Sequence, residues 1–600
     1  MARAWPLAVL AMLAPLWLVG TLHRDAWTPD EPREADIVWR MARQSDRALP
    51  NFAGSAFLEK PPLSYWMAAG SSTLFGDSVR AARVPNILYA AITALSIGTL
   101  AFVIAGPYAA LLAALVACSA LTMLRVTIWL APDACLLAGC SIALLGAYLG
   151  YTARPGIAKL VAYTMMHAGA ALGFMAKSAP GWLVPALALL TLIAWERRWT
   201  ELRRPELYAG LLLQALIIAP WIAAVAHSPD GANALRVLFW DNLTGRFASV
   251  ASASGADYAT GHRNWPGRYL VELPFSLLPW TVCVIAALRA AWTRARATDA
   301  LSTAWRFGVS ATLPFLLLLS VAATARDIYA APAVLGMSLL VALWASELRG
   351  SLGALDRIAL RATRGLVIGI AAVLALFACL LALAKGGDSS ALLWAGAALI
   401  VALVVPLSRF AARLDADGAR VSGLIATYAA FSIAVALGGL AVFPAIDRWQ
   451  DLPALGRAIQ RDSADRDLAL LQPDETTIAM LDNPLRTPFV ILPATASTQT
   501  EVVAEWFRKH PTDGRVLVML PNHAPGELSR LIARWRPLPR PNDGVAAELE
   551  RAGVARLLVR YELPHGRRYA LLAPPPTALQ AHADGALQGR SAMELRQPGS

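Results

Sequence analysis

Charge is scarce in this chain. Only 16% of its 600 residues are Asp, Glu, Lys or Arg, 57% are hydrophobic, and the mean hydropathy is +0.50. Soluble domains carry roughly a quarter charged residues, so a water-soluble globular class is excluded and a polytopic α-helical membrane protein is implied. Cysteine is scarcer still. The five, Cys118, Cys135, Cys140, Cys283 and Cys379, lie in or beside apolar runs, which excludes a disulfide scaffold, a disulfide partner and a thiolate metal site. Internal repeats are lacking too, which argues against transporters built from two related halves. Lysine supplies only five of the 53 basic residues. Where arginine is the default base, each lysine marks a place suited to a compact point charge.

Long apolar runs, by contrast, are abundant up to residue 444 and stop there. A hydrocarbon core of about 30 Å needs about 17–25 apolar residues. About thirteen spans are expected, at 5–22, 84–104, 107–123, 134–151, 160–176, 179–195, 206–226, 271–290, 306–323, 329–346, 365–384, 391–408 and 421–443. The first reads as a retained helix, because only Arg3 precedes it and no small-residue cleavage site comes before His23. The formal charge of +12 does not point to nucleic acid. Its arginines cluster in short loops on one side of these spans, and the positive-inside rule makes that side cytoplasmic. An odd count then leaves the N-terminus cytoplasmic and the C-terminus periplasmic.

The expected organisation is a spanning domain over 1–444, with long outer loops at 23–83 and 227–270, followed by a periplasmic α/β domain over 445–600. In that tail, strand-like and helix-like runs follow one another at 477–481, 489–492, 501–510, 515–520, 527–535 and 556–561. The proline-rich "RPLPRPND" occupies 536–543.

The first outer loop holds the densest charge. In "AWTPDEPREADIVWRM", residues 26–41, Pro32 removes an intrahelical donor, so a helix is expected to start between Asp30 and Pro32. Ala35, Val38, Met41 and Ala42 share its apolar face, with Arg33, Asp36, Arg40 and Arg43 opposite, the pattern of an amphipathic helix lying on a membrane surface. Asp30 and Glu34 border the apolar face, where a carboxylate needs a partner or a task; a plain cap is the bland reading of Asp30. In "FLEKPPLSYWMA", residues 57–68, Lys60 offers a point charge suited to a phosphate. Pro61 and Pro62 stiffen the backbone before a second short helix.

Asp133 in "LAPDACLL" opens a hydrophobic helix, where N-capping is the plain reading. Lys177 in "FMAKSAPGW" sits at the outer end of two adjoining spans and reads as a snorkelling anchor. Arg246, His262, Arg326, Asp327 and Tyr329 fall in outer loops or at span mouths. Each signal is weak alone. Together they set two acids and several cations at nearly one depth on one side of the membrane, which suits an anionic lipid headgroup.

"TPDEPREADIVWRM" followed by "NFAGSAFLEKPPLSYW" resembles the first outer loop of the bacterial aminoarabinose transferases that modify lipid A. These form part of a larger set of polyprenyl-phosphate-dependent membrane glycosyltransferases that includes the protein O-mannosyltransferases. "RAARVPNIL", "APDACLL", "GRFAS", "LPFSLLPW" and "RDIYAAP" look like later landmarks in the same order, so the resemblance covers 5–444, with the tail similar only in placement. It implies a GT-C fold and transfer of a sugar, 4-amino-4-deoxy-L-arabinose or another pentose or hexose, from undecaprenyl phosphate to lipid A or another envelope acceptor. The setting implied is the periplasmic face of the bacterial inner membrane. Carried over by position, Asp30 is the first-loop acid with Arg33 beside it, Lys60 contacts the lipid-linked phosphate with Glu59 as neighbouring acid, and Asp133 is the second acid. Arg246 and Tyr329 complete the phosphate site. "KSAPG" departs from the usual lysine before glycine, and Pro32 and Glu34 depart from the usual threonine and tyrosine. Transfer to protein, or flipping of the same lipid, are the rival readings. A divalent cation between the acids is an open expectation, since no ligand spacing demands one.

Overall fold

The computed structural model describes residues 4–244, 264–265, 267–299, 301–324, 326–385, 388–483, 485–520 and 543–575. Among these, ten helices are long and apolar enough to cross a membrane, and two bent helix pairs raise the number to twelve. Every segment expected to span is helical over most of its length; the expected run 306–323 divides into Ser302–Ser310 and Leu313–Val321 at a turn, and three others differ for local reasons. Pro107–Ser119 and Leu121–Ile128 meet at a bend of 68°, where Ala120 is extended at φ −59°, ψ 144°. Arg268–Ser276 and Thr281–Arg294 meet at 120°, around Pro279, which has no N–H to carry a helix through. Pro180–Trp195 has 16 residues, only about 24 Å at 1.5 Å per residue.

Burial ranks these helices. The apolar window of Asp327–Glu347 is 94% buried and that of Asp133–Thr152 83%, whereas Ser390–Ala416 is 17% buried. The first two are therefore central, and the third presents its apolar sides outward, as a helix solvated by lipid would.

The chain divides into two compact units. One comprises 1–24 and 40–443, the other 25–39 and 444–600. The expected boundary near 444 had kept the whole first loop with the spans. Residues 25–39 instead group with the C-terminal segment, because their polar groups bond there. Asp447 accepts hydrogen bonds from the Asp25 N–H (3.1 Å) and the Trp27 indole (2.7 Å), and Gln450 accepts from both the Thr28 N–H and its hydroxyl (2.9 and 2.8 Å).

In the spanning unit, a two-residue-a-side hairpin, β1 (Asn51–Phe52) and β2 (Ser55–Ala56), precedes the Leu58–Lys60 turn. The C-terminal unit is a five-stranded mixed sheet of β3 (Asp467–Leu471), β4 (Val490–Leu492), β5 (Gly514–Met519), β6 (Arg556–Glu562) and β7 (Arg568–Ala573), in the order β4-β3-β5-β7-β6. β3 pairs in parallel with both β4 and β5, and β7 runs antiparallel to β5 and β6. β7 is buried along its whole length, as an interior strand covered on both faces must be. Ala469, Leu471, Val516, Val518, Ala570 and Leu572 pack there with Val503 and Phe507 of helix Gln499–Lys509. The run 477–481 is helical, within Glu475–Asp482, because Asp474 caps it by accepting the Thr477 N–H at 2.8 Å. The expected run at 527–535 lies outside the described residues.

Candidate functional site

The site begins with a helical hairpin. Asp133–Thr152 and Ile157–Lys177 run antiparallel through a four-residue connection, so the first residue of one and the last of the other come to the same end. Glycine lets the two backbones close up. A Cβ on Gly139 would stand 2.4 Å from the Gly173 nitrogen, and one on Gly146 2.4 Å from the Met166 nitrogen, the small-residue approach typical of helices packing in lipid. That approach seats the Lys177 ammonium 2.5 Å from the Asp133 carboxylate. The pair is nearly dry, with side chains 12% and 9% exposed. The same ammonium lies 4.9 Å from the Tyr329 ring centroid, within cation–π range.

Around this pair opens a cavity of about 940 Å³, its mouth included. Glu59, Lys60, Asp133, Lys177 and Tyr329 supply its charged and polar lining, while Leu136, Leu183, Phe315, Leu318, Leu319 and Ile328 supply much of an apolar wall. Asn242, also on the lining, donates to the Leu58 carbonyl at 2.7 Å and so pins the turn that carries Glu59 and Lys60. Lys60 stands 5.7 Å from the Phe57 ring centroid. Tyr329 sits on the 3-10 turn Asp327–Ala330, which a 2.6 Å ion pair from Arg125 to Asp327 ties to helix Leu121–Ile128.

Glu59, Lys60, Asp133 and Tyr329, read from separate motifs, thus share one cavity. Asp133 does not act as a cap: its helix has Pro132 at the N-cap and no side-chain capping bond, and the carboxylate serves Lys177 instead. Lys177 does not snorkel but lines the cavity. Its role was missed because only the register of the hairpin, which brings together two residues 44 apart in sequence, reveals it. Asn242 carried no sequence signal. Arg246 and His262 lie outside the described residues. Among the described residues, no three His, Cys, Asp or Glu side chains gather to hold a metal ion.

Asp30 and Arg33 belong to the other unit. The helix starts at Glu31, and Glu31 accepts the Trp27 N–H at 2.8 Å. Of the face expected to be solvated, Arg33 and Asp36 are buried, Arg40 is half-buried and Arg43 is exposed, and Glu34, expected at the border of the apolar face, is buried too. For Arg33 the reason is charge matching. Its guanidinium meets Glu34 at 2.9 Å and Glu475 at 2.7 Å, with Asp30 at 3.9 Å. Glu475, 442 residues away, left no trace in the local pattern. Next to it, burial pushes the Asp474 carboxyl up, but the Arg567 guanidinium bonded to both its oxygens (3.0 and 2.6 Å) and the Thr477 bonds outweigh this and hold it below its ordinary value.

A bundle of bent and straight spans around a cavity lined by lysines, carboxylates and an apolar wall makes this a polytopic membrane protein of the GT-C architecture. The solved structure of ArnT from Cupriavidus metallidurans bound to undecaprenyl phosphate has the same fold, with a TM-score of 0.64 and 18% identity over 95% of this chain and 98% of that one. In sequence the chain is aminoarabinose-transferase-like. It is 31% identical over 287 residues to the undecaprenyl phosphate-alpha-4-amino-4-deoxy-L-arabinose arabinosyl transferase of Pseudomonas aeruginosa (strain LESB58), covering 47% of this chain and 49% of that protein. It is 30% identical over 359 residues to the transferase of the same name from Edwardsiella ictaluri, covering 59% and 61%. The chain therefore spans about half the length of the first of these curated relatives and under two thirds of the second. Residues 59–223 match the family described as dolichyl-phosphate-mannose-protein mannosyltransferase.

Proposed function

We propose that the chain is a glycosyltransferase that moves a sugar from undecaprenyl phosphate, or a closely related polyprenyl phosphate, to lipid A or another envelope acceptor at the periplasmic face of the bacterial inner membrane. One observation carries the reading: the cavity joins lysines and a tyrosine to a long apolar wall, the two chemistries of a prenyl phosphate. In the reaction the bond between the anomeric carbon and the phosphate oxygen breaks, an acceptor oxygen bonds to that carbon, and the polyprenyl phosphate leaves with one more negative charge. Lys60 and the Tyr329 hydroxyl, with Arg246 by sequence pattern, stabilise that charge; preorganised donors of this kind contribute about 3–4 kcal/mol each. Glu59 and Asp133 orient the sugar, Asp133 with Lys177 as its counter-ion. The roles of Asp30 and Arg33 rest on the first-loop motif alone. With a hydroxyl acceptor Asp30 removes its proton; with an already ionised phosphate acceptor it orients the sugar.

Two features of the relatives support the donor. The proteins the chain resembles are named for undecaprenyl phosphate aminoarabinose, and the family that matches 59–223 is named for dolichyl-phosphate mannose, another polyprenyl phosphate sugar. The test is incubation of the full chain in detergent with radiolabelled undecaprenyl phosphate aminoarabinose or mannose and purified lipid A. Label moving onto lipid A is the expected result. Label moving instead onto co-purified protein selects the protein acceptor, and an intact donor with every acceptor overturns the reading in favour of a carrier that only flips the lipid.

A further inference from the structure

The catalytic role of Asp30 rests on the reading above, yet what holds Asp30 in place is a separate matter. We infer that the C-terminal domain is the scaffold of the turn that carries Asp30, and that Glu475 is its positioning residue. The bonds that fix residues 25–39 concentrate on both sides of Asp30. Thr28 is held through its N–H and hydroxyl by Gln450. The Pro29 carbonyl accepts the Thr476 hydroxyl at 3.3 Å, and one turn beyond Asp30 the Arg33 guanidinium meets Glu475 at 2.7 Å. Further along, Asn483 donates to the Ala35 carbonyl at 3.2 Å, and the Arg486 guanidinium lies 5.2 Å from the Trp39 ring centroid.

The backbone that carries Glu475 is anchored on both sides. Glu475 opens helix Glu475–Asp482, where a carboxylate is favoured by the helix dipole. The preceding Asp474 is fastened by Arg567, and Thr477 is hydrogen-bonded to the Tyr569 hydroxyl at 2.8 Å. Arg567, just before β7, thus holds Asp474, and the next residue, Glu475, meets Arg33 one helical turn from Asp30. A site residue supported in this way is locked to within fractions of an ångström, and loosening that support costs rate before it costs binding.

The experiment compares the full-length chain with its Glu475→Gln and Gln450→Ala variants, by hydrogen exchange of residues 27–39 and by steady-state turnover of undecaprenyl phosphate aminoarabinose. Each variant removes one charge-assisted or doubly accepting contact, so exchange in this segment is expected to rise about tenfold. Turnover is expected to fall by about 10²-fold with the donor KM changed far less, and Glu475→Asp to recover part of it. Unchanged exchange in both variants overturns the scaffold. Faster exchange with unchanged turnover overturns the positioning role, since a merely structural contact would loosen the segment without slowing the reaction. A wild-type chain that leaves the donor intact overturns the transfer reading and Glu475's part in it, while the exchange data still decide the scaffold.

Discussion

The two units of this molecule handle charge in different ways. In the spanning unit, Lys177 meets one carboxylate among the described residues, Asp133, in a nearly dry cavity wall. In the C-terminal unit, Arg33 meets three carboxylates, Asp30, Glu34 and Glu475, the last with its side chain 49% exposed. The two cations are buried alike, with side chains 12% and 10% exposed, so solvent access does not separate them; the source of their partners does. Lys177 and Asp133 come from the two arms of one helical hairpin, whereas Arg33 takes Glu34 from its own helix and Glu475 from a helix 442 residues further on. The first contact fixes the register of a hairpin, and removing one partner leaves a buried charge unmatched. The second holds a distant segment in place.

Substitutions sharpen this contrast, and the largest effect belongs to the dry pair. Lys177→Met leaves Asp133 buried and unmatched and is expected to cost about 3–5 kcal/mol, read as a lower melting temperature of the detergent-solubilised chain. The double variant Asp133→Leu, Lys177→Met should recover most of that loss while remaining inactive. If the single and double variants melt alike, the pair is not energetically coupled. Next comes Lys60→Ala, expected to lower turnover by about 10²–10³-fold, a loss of about 3–4 kcal/mol in the transition state, with the melting temperature unchanged. A smaller effect is expected of Gly139→Val, which drives a branched side chain into the backbone around Gly173. Overpacking should cost about 1–3 kcal/mol and, by parting Asp133 from Lys177, reduce activity more than the melting shift alone explains.

The smallest effect belongs to the C-terminal unit. The Asp474 carboxyl is held below its ordinary value of about 3.9, so it stabilises the fold above that pH and the contribution is lost as pH falls below about 4. The melting temperature of the C-terminal unit should drop with acid in this window, and Asp474→Asn should flatten the dependence. An unchanged slope would remove Asp474 from the account.

The same division governs what could be read in the sequence. Glu59, Lys60 and Tyr329 announce themselves because loop motifs and scarce lysines are local signals, and the apolar runs mark every spanning segment. Lys177 reads wrongly because a charge at a span end usually snorkels, and only the glycine-packed register of its hairpin brings it to Asp133. The helix at 31–43 reads as half solvated because the carboxylate that matches Arg33 lies in a helix more than four hundred residues further on. Two spans read as straight because a break at Ala120 and a bend around Pro279 are small features of otherwise apolar runs. Periodicity reports which residues favour a buried face, and says nothing about what arrives from elsewhere to bury the other.

The most direct measurement for the cavity is an experimental map of the full chain with undecaprenyl phosphate bound. The phosphate should appear within hydrogen-bonding reach of Lys60 and the Tyr329 hydroxyl, with the first isoprene units along Phe315, Leu318 and Leu319. A lipid phosphate lodged away from Lys60, or a cavity left empty while the lipid binds elsewhere, would contradict the account.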